Sequence, residues 1–123
     1  MRILLDTHIL RWWLNDDARL NSGTRELLAD QENVLFISAA STWEIYLKMA
    51  LGKLQLPENF HENSGGFAKL SVSVTHTVEL QRLPSLHQDP FDRILLAQAR
   101  CEKLLLLPTD RGLLAYGHPV LAG

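Results

Sequence analysis

Four acidic residues stand at points in the sequence where carboxylates could gather around a metal ion. Asp6 follows the apolar run RILL, Glu44 lies beyond the run VLFI, and Asp110 comes shortly after LLLL. Asp92 belongs to the segment HQDPFDR, which also contains Asp89. Carboxylate oxygens are the ligands that Mg²⁺ and Mn²⁺ prefer. Such a site suits hydrolysis of phosphodiester bonds, because the ions activate water and neutralise charge on the phosphate.

Each acid also has a simpler structural explanation. Asp6 and Asp110 could each cap a helix that begins after them, and Asp89 is a good N-cap because Pro90 follows at the first helical position. Asp92, in the first turn, would complement the helix dipole. Ser41 to Glu44, with the sequence STWE, matches a capping box. Taken one at a time, these acids do not establish a metal site.

Helical phase favours a functional explanation for two of the acids. Asp92 shares one predicted helix face with Leu95, Leu96 and Ala99, so its carboxylate should point with the core-facing stripe. A carboxylate turned inward is costly unless it is paired or bound to metal. We therefore expect Asp89 to cap the helix and Asp92 to face a metal ion.

The preceding helix predicts the same orientation for Glu44. Its apolar stripe, which we expect to face the core, contains Glu44 together with Ala40, Trp43, Leu47 and Leu51. We expect Ser38 to be the N-cap, since Ala39 and Ala40 are strong helix formers, and Glu44 then lies too deep for a capping box. Lys48 and Arg93 could pair with Glu44 and Asp92, but inward acids outnumber the inward bases.

Short apolar runs alternate with helical patterns along the whole chain. We predict strands at 2–5, 34–37, 71–74 and 104–107, a weak strand at 118–121, and a loop at 57–66. Helices are predicted at 6–14, 22–31 with Ser22 as cap, 39–51, 75–83, 90–103 and 111–116. The pattern indicates one domain over 1–123, a three-layer α/β/α fold with a central, mostly parallel sheet of four to five strands. The carboxyl ends of parallel strands share one edge, so the four acids should converge there.

Composition excludes several classes of protein. No apolar run is long enough to cross a membrane, and the first residues lack a secretion signal. Cys101 is the only cysteine, which excludes an internal disulfide, and we expect a cytoplasmic protein. The net charge of −2 is atypical of a nucleic-acid binder, although acids gathered around metal would leave a slightly basic surface. The histidines lack zinc-site spacing, and no glycine-rich phosphate loop is present.

The sequence resembles the PIN-domain family, specifically VapC-type toxins of type II toxin–antitoxin systems. The matching segments are ILLDTHILRWWL, FISAASTWEIYLK, HQDPFDRILLAQA and LLLLPTDRGLLAYG, which stand in the family's order. The resemblance implies the PIN fold and a magnesium-dependent endoribonuclease, with Mn²⁺ able to substitute. It also implies an RNA substrate, a homodimer and a cognate antitoxin protein.

The resemblance carries the family's catalytic and metal-binding acids over to Asp6, Glu44, Asp92 and Asp110. Its small polar residue beside the second motif matches Ser38, and we expect Thr7 and Thr109 to support the site as well. Where the family often has Ser or Thr two residues before the last acid, this sequence has Pro108. Asp110 therefore either ligates metal directly, acts through water or only supports the site. Arg93 and Arg111 lie beside the acids and are candidates for contacting substrate phosphates.

Two other classes of function remain open on the sequence alone. A non-catalytic PIN-fold scaffold that binds RNA or protein is one, although such scaffolds usually lose some of the acids. A signalling receiver domain is the other, but it needs an aspartate after the third strand and a lysine after the fifth. SVSVTH and HPVLAG provide neither.

Overall fold

The computed structural model describes residues 1–57, 59–60, 62 and 66–121. Strands and helices alternate in the described part of the chain. The strands are β1 (Arg2–Leu5), β2 (Val34–Ser38), β3 (Ala68–Leu70) and β4 (Leu105–Leu107). The helices are α1 (Thr7–Leu14), α2 (Ser22–Ala29), α3 (Ala39–Ala50), α4 (Val74–Leu80) and α5 (Pro90–Glu102), followed by a 3₁₀ helix (Arg111–Tyr116). None of these described helices is long and apolar enough to span a membrane.

The four strands form a single parallel sheet in the order β3-β2-β1-β4. The chain moves from β1 outwards through β2 to β3, and then returns to place β4 on the other side of β1. Strand order therefore reverses between β1 and β4, and ligands of such sheets bind beside this reversal at the carboxyl ends of the strands. Asp6 and Asp110 follow the two strands that flank it.

Helices cover both faces of the sheet, which confirms the predicted three-layer α/β/α fold. On β1, Ile3 and Leu5 pack into one apolar cluster with residues of α1 and α2, while Leu4 packs into a second cluster with residues of α5. Side chains of a strand alternate between its two faces, so the apolar residues Ile3 to Leu5 of β1 must be buried on both. The two clusters hold the carboxyl edge of the sheet in place.

The prediction of a strand at 71–74 was wrong, because the third strand lies earlier, at Ala68–Leu70. Ser73 is the N-cap of α4: its hydroxyl accepts a hydrogen bond from the His76 amide at 3.3 Å, and the His76 ring accepts one from the Ser73 amide at 3.0 Å. Serine side chains compete with sheet pairing by bonding to nearby backbone groups. This local capping box overrode the alternating pattern of SVSV.

Two further boundaries differ from the sequence prediction. The weak strand expected at 118–121 is reduced to a single bridge between Leu106 and Val120, since Pro119 has no amide to donate to a ladder. The N-cap of α2 is Asn21, whose side chain accepts from the Thr24 amide at 2.8 Å, and not Ser22. Much of the loop predicted at 57–66 lies outside the described residues.

Candidate metal centre

Asp6 lies directly after β1, at the carboxyl edge of the sheet, and its side chain is buried. Its backbone amide donates to the Leu107 carbonyl at 3.1 Å, which ties the end of β1 to the end of β4. The Oδ1 atom of Asp6 accepts from the His8 amide at 2.7 Å and from the Thr109 hydroxyl at 3.4 Å. Asp6 thus caps α1 and also stands at the edge where the metal site is predicted. The hydrogen bond to Asp6 raises the pKa of the His8 ring.

The first turn of α5 separates the roles of the two aspartates in HQDPFDR. Asp89 is the N-cap, and its Oδ1 accepts from the amides of Phe91 at 2.8 Å and Asp92 at 3.4 Å. Asp92 points inward, with its side chain 14% exposed. Burial raises the pKa of the Asp92 carboxyl to about 6, and the negative charge of Asp6 adds to this shift. The carboxylates of Asp6 and Asp92 are therefore close enough to interact electrostatically.

Three ligand atoms from His87, Asp92 and Asp110 lie within 4.8 Å of one another. Nε2 of His87 is 2.8 Å from Oδ2 of Asp92 and 3.6 Å from Oδ2 of Asp110. Asp110 is half exposed, and its other oxygen accepts from the Gly112 amide at 2.8 Å at the start of the 3₁₀ helix. One nitrogen and two carboxylate oxygens at this spacing are a donor set that fits a divalent ion.

Glu44 is buried in α3, but it does not join this group in the described part of the chain. Its Oε2 pairs with Nζ of Lys48 at 2.9 Å, one helical turn away. The positive charge of Lys48 offsets the negative charge of Glu44, so Glu44 has its ionic partner on its own helix. Of the four predicted acids, Asp92 and Asp110 belong to the 4.8 Å group with His87, and Asp6 and Glu44 do not.

The face of α3 expected to point at the core was correct for Ala40 and Glu44 but wrong for its large apolar members. The buried face carries Ala40, Ser41, Glu44 and Ile45. Trp43 is 63% exposed, and Leu47 and Leu51 are also exposed. The Trp43 ring meets the edge of Phe91 on α5, with the ring centroids 5.1 Å apart. Periodicity of apolar residues therefore predicted the inward direction of Glu44 but assigned Trp43, Leu47 and Leu51 to the wrong face.

Two serines and a glutamine brace the buried polar edge. Ser38 caps α3 through the Ala40 amide at 3.0 Å, as predicted, and its hydroxyl donates to Oε1 of Gln98 at 2.6 Å. The amide of Gln98 donates to the Ser71 carbonyl at 3.2 Å. The Thr7 hydroxyl donates to Oγ of Ser41 at 2.9 Å, joining α1 to α3. The predicted supporting residue Thr109 contacts Asp6 directly.

The two arginines proposed for phosphate binding differ in their surroundings. Arg93 donates to the carbonyls of Leu80 at 3.4 Å, Pro84 at 3.3 Å and His87 at 3.2 Å. These bonds hold the loop before α5. Arg111 is exposed and lines a cavity of about 410 Å³ that also contains Asp110, Thr109, Trp12 and Arg19. Of the two arginines, Arg111 lines this cavity and Arg93 does not.

Sequence reasoning missed His87. His87 belongs to no paired-histidine or other metal-binding spacing. Its partners are Asp92, five residues later, and Asp110, which lies beyond β4. Its place at the start of HQDPFDR, beside an aspartate already suspected of metal binding, was the available signal. The first turn of α5 directs Asp92 back toward the ring of His87, at 2.8 Å from Nε2.

Comparison with solved structures identifies several with the same fold. The VapBC2 complex of Rickettsia felis, bound to a DNA fragment from its promoter, has a TM-score of 0.71 at 18% identity, covering 98% of this chain and 96% of that one. A toxin–antitoxin complex from Klebsiella pneumoniae has a TM-score of 0.70 at 20% identity with the same coverage. FitAcB from Neisseria gonorrhoeae gives 0.61 at 18% identity, covering 89% and 88%.

At the level of sequence, a search of curated proteins finds no significant match. The model of the PIN domain family, in contrast, matches residues 3–118, which include every strand and helix described above and all four predicted acids. With its parallel sheet, helical layers and acidic edge in the expected places, the chain belongs to the PIN domain family.

Proposed function

We propose that residues 1–123 form one nuclease domain, a metal-dependent endoribonuclease that acts as the toxin of a toxin–antitoxin pair. The observation that carries this proposal is the grouping of His87, Asp92 and Asp110 within 4.8 Å, next to Asp6, at the carboxyl edge of a PIN-family sheet. The resemblance to VapC-type toxins supports RNA as the substrate. The structural similarity to complexes from Rickettsia felis and Klebsiella pneumoniae supports an antitoxin partner.

Asp6, Glu44, Asp92 and Asp110 are the acids that we assign to holding Mg²⁺, or Mn²⁺ in its place. A bound divalent ion supplies activation of a water molecule and neutralisation of charge on the scissile phosphate. The protein contributes orientation: Thr109 and the His8 amide fix the carboxylate of Asp6, and Asp89 fixes the helix turn that carries Asp92. Lys48 holds the carboxylate of the buried Glu44 in place through its contact at 2.9 Å.

The cavity of about 410 Å³ beside Asp110 is our candidate for the path of the RNA strand. Arg19 and Arg111 supply positive charge along its wall, which suits the phosphate backbone. Trp12 supplies an aromatic surface on which a base can stack, although Arg19 already covers one part of it at 5.1 Å from the ring centroid. Arg93 contributes to the site indirectly, because its hydrogen bond to the His87 carbonyl stabilises the loop that carries His87.

Substitution of the acids tests the activity. Asp6→Asn and Asp92→Asn should each reduce RNA cleavage by at least about a hundredfold, because each removes a charged ligand while an amide keeps the shape of the side chain. The measurement is cleavage of a mixed RNA pool by stringently purified protein with Mg²⁺ or Mn²⁺. Asn is also a good N-cap, so Asp6→Asn should leave α1 intact by circular dichroism.

Arg82→Gln is a suitable control, since this exposed arginine pairs with Glu79 on α4, outside the acidic group. It should cleave RNA at the wild-type rate. Full cleavage by both acid variants would contradict the proposal and leave a non-catalytic scaffold as the better explanation. The same conclusion would follow if wild-type protein bound neither metal at millimolar concentration, with or without RNA.

We also infer two protein partners, a second copy of this chain and a cognate antitoxin. The first is implied by the family resemblance, and the second is supported also by the complexes to which the fold is similar.

A further inference from the structure

His87 is the one member of the three-residue group that the carboxylate site does not explain. Its side chain is 14% exposed, and its Nε2 faces two carboxylates, at 2.8 Å from Asp92 and 3.6 Å from Asp110. A histidine whose only task was to neutralise Asp92 would need contact with that residue alone. The approach of Asp110 from a separate segment places Nε2 where ligands from two parts of the chain meet.

The imidazole is held in this position from several sides. Arg93 donates to the backbone carbonyl of His87 at 3.2 Å, and the Tyr116 hydroxyl donates to the carbonyl of Pro84 at 2.8 Å in the same loop. Gly112 lies against the other edge of the ring. A Cβ atom built there would stand 3.6 Å from Nδ1 of His87 and 3.0 Å from Oδ1 of Asp110. The loop, the ring and Asp110 are therefore packed as one unit, with Nε2 directed at the acids.

We propose that His87 is a nitrogen ligand of the divalent ion, through Nε2, and that it gives the site a preference for Mn²⁺ over Mg²⁺. This inference rests on the proposed metal-dependent function and deepens it. Mg²⁺ favours an all-oxygen shell, whereas imidazole nitrogen suits transition metals, so one nitrogen among carboxylates shifts the selectivity. Ligation requires an unprotonated Nε2, so the ring carries its proton on Nδ1 and gives up its hydrogen bond to Asp92 when the ion binds.

Pulsed electron paramagnetic resonance of bound Mn²⁺ tests this directly on the full chain. Wild-type protein should show hyperfine coupling from a histidine nitrogen, and His87→Asn should lose it. Titration calorimetry should show Mn²⁺ binding weakened by roughly tenfold or more in His87→Asn, with a smaller loss for Mg²⁺. The amide nitrogen of Gln can take the place of Nε2 and still donate to Asp92, so a role limited to that hydrogen bond would survive in a second variant, His87→Gln.

His118→Asn is the matched control, because His118 is exposed and stands outside the three-residue group. It should keep the nitrogen coupling and the wild-type affinity. If His87→Asn fails to fold by circular dichroism, labelling histidine with the heavy nitrogen isotope in wild-type protein changes the coupling pattern without any substitution.

The possible outcomes distinguish a failure of His87 as a metal ligand from a failure of the proposed nuclease function. If Mn²⁺ binds to the wild-type protein without nitrogen coupling, or if the coupling persists in His87→Asn, His87 is not a ligand and the inference is overturned, while the nuclease proposal stands. If neither ion binds at millimolar concentration, the proposed function itself fails. Nitrogen coupling that depends on His87, with a selective loss of Mn²⁺ affinity on its substitution, supports both.

Discussion

At the scale of single residues, the acids of this site combine capping and metal-binding geometry. Asp6 caps α1 through the His8 amide and still presents a carboxylate beside Asp92. Asp110 caps the 3₁₀ helix with one oxygen and faces His87 with the other. A carboxylate has two oxygens, so capping occupies one and leaves the second available. The structural and the functional explanations of these aspartates are therefore compatible.

The raised pKa of Asp92 predicts a pH dependence of stability. Its pKa rises from 3.8 in the unfolded chain to about 6 when folded, mainly through burial and the charge of Asp6. The folded state binds this proton more tightly than the unfolded state, so the free energy of unfolding falls as pH rises through this interval. Asp92→Asn cannot ionise and should be more stable than wild type at neutral pH by on the order of 1 kcal/mol, once solvent screening is allowed for.

Urea denaturation of metal-free protein measures this effect, at several pH values from the unfolded-state pKa of 3.8, through the folded-state pKa of about 6, up to neutral pH. The wild-type protein should lose stability with rising pH more steeply than Asp92→Asn. Glu26→Gln, on the exposed side of α2, should follow the wild-type slope. Equal slopes for wild type and Asp92→Asn would show that Asp92 titrates normally in the folded protein.

At the scale of elements, the first turn of α5 sets where Asp92 points. The Asp89 carboxylate accepts from two amides of this turn, and Pro90 supplies the backbone angle that begins a helix. Asp89→Ala should lower the free energy of unfolding by about 1 kcal/mol, because the amides of Phe91 and Asp92 lose their acceptor. Chemical denaturation of metal-free protein measures the change.

Asp89→Asn is the matched control, since asparagine caps helices about as well as aspartate. It should keep most of the wild-type stability. Should Asp89→Ala and Asp89→Asn lose the same amount, the contribution of Asp89 would be its charge near the helix start and not the capping hydrogen bonds.

At the scale of the whole molecule, the order of the strands brings the site together. Because the chain crosses back from β3 to β4 on the far side of β1, the segments after β1 and β4 become neighbours, and Thr109 bonds to Asp6 across 103 positions of sequence. The outer surface carries exposed apolar side chains on α3, including Trp43 and Leu47.

The proposed partners predict how the protein assembles. The chain alone should sediment as a dimer at micromolar concentration. When it is produced together with the product of its neighbouring reading frame, a short second chain should co-purify, and the complex should cleave RNA far more slowly than the free dimer. Analytical ultracentrifugation and the cleavage assay measure these outcomes. A monomer, or a lone chain after joint expression, would contradict the corresponding partner.

The sequence by itself determined which elements form and where the polar residues follow them. Of the five strands predicted from apolar runs, those at 2–5, 34–37 and 104–107 are in the correct place. The caps at Ser38 and Asp89 were predicted because capping depends on residues within one turn. The inward direction of Asp92 followed from helical phase for the same reason. These features depend on residues that are close in sequence, so a local sequence pattern is enough to predict them.

Only the tertiary structure decided which groups meet. The contact of His87 with Asp110, the bond from Ser38 to Gln98 across 60 positions, and the exposure of Trp43 on α3 all depend on how separate elements pack. Packing can bury a polar face wherever another element offers hydrogen-bond partners, and periodicity of apolar residues carries no record of those partners. The acids could be named from the sequence, whereas the histidine among them became visible only when the chain was folded.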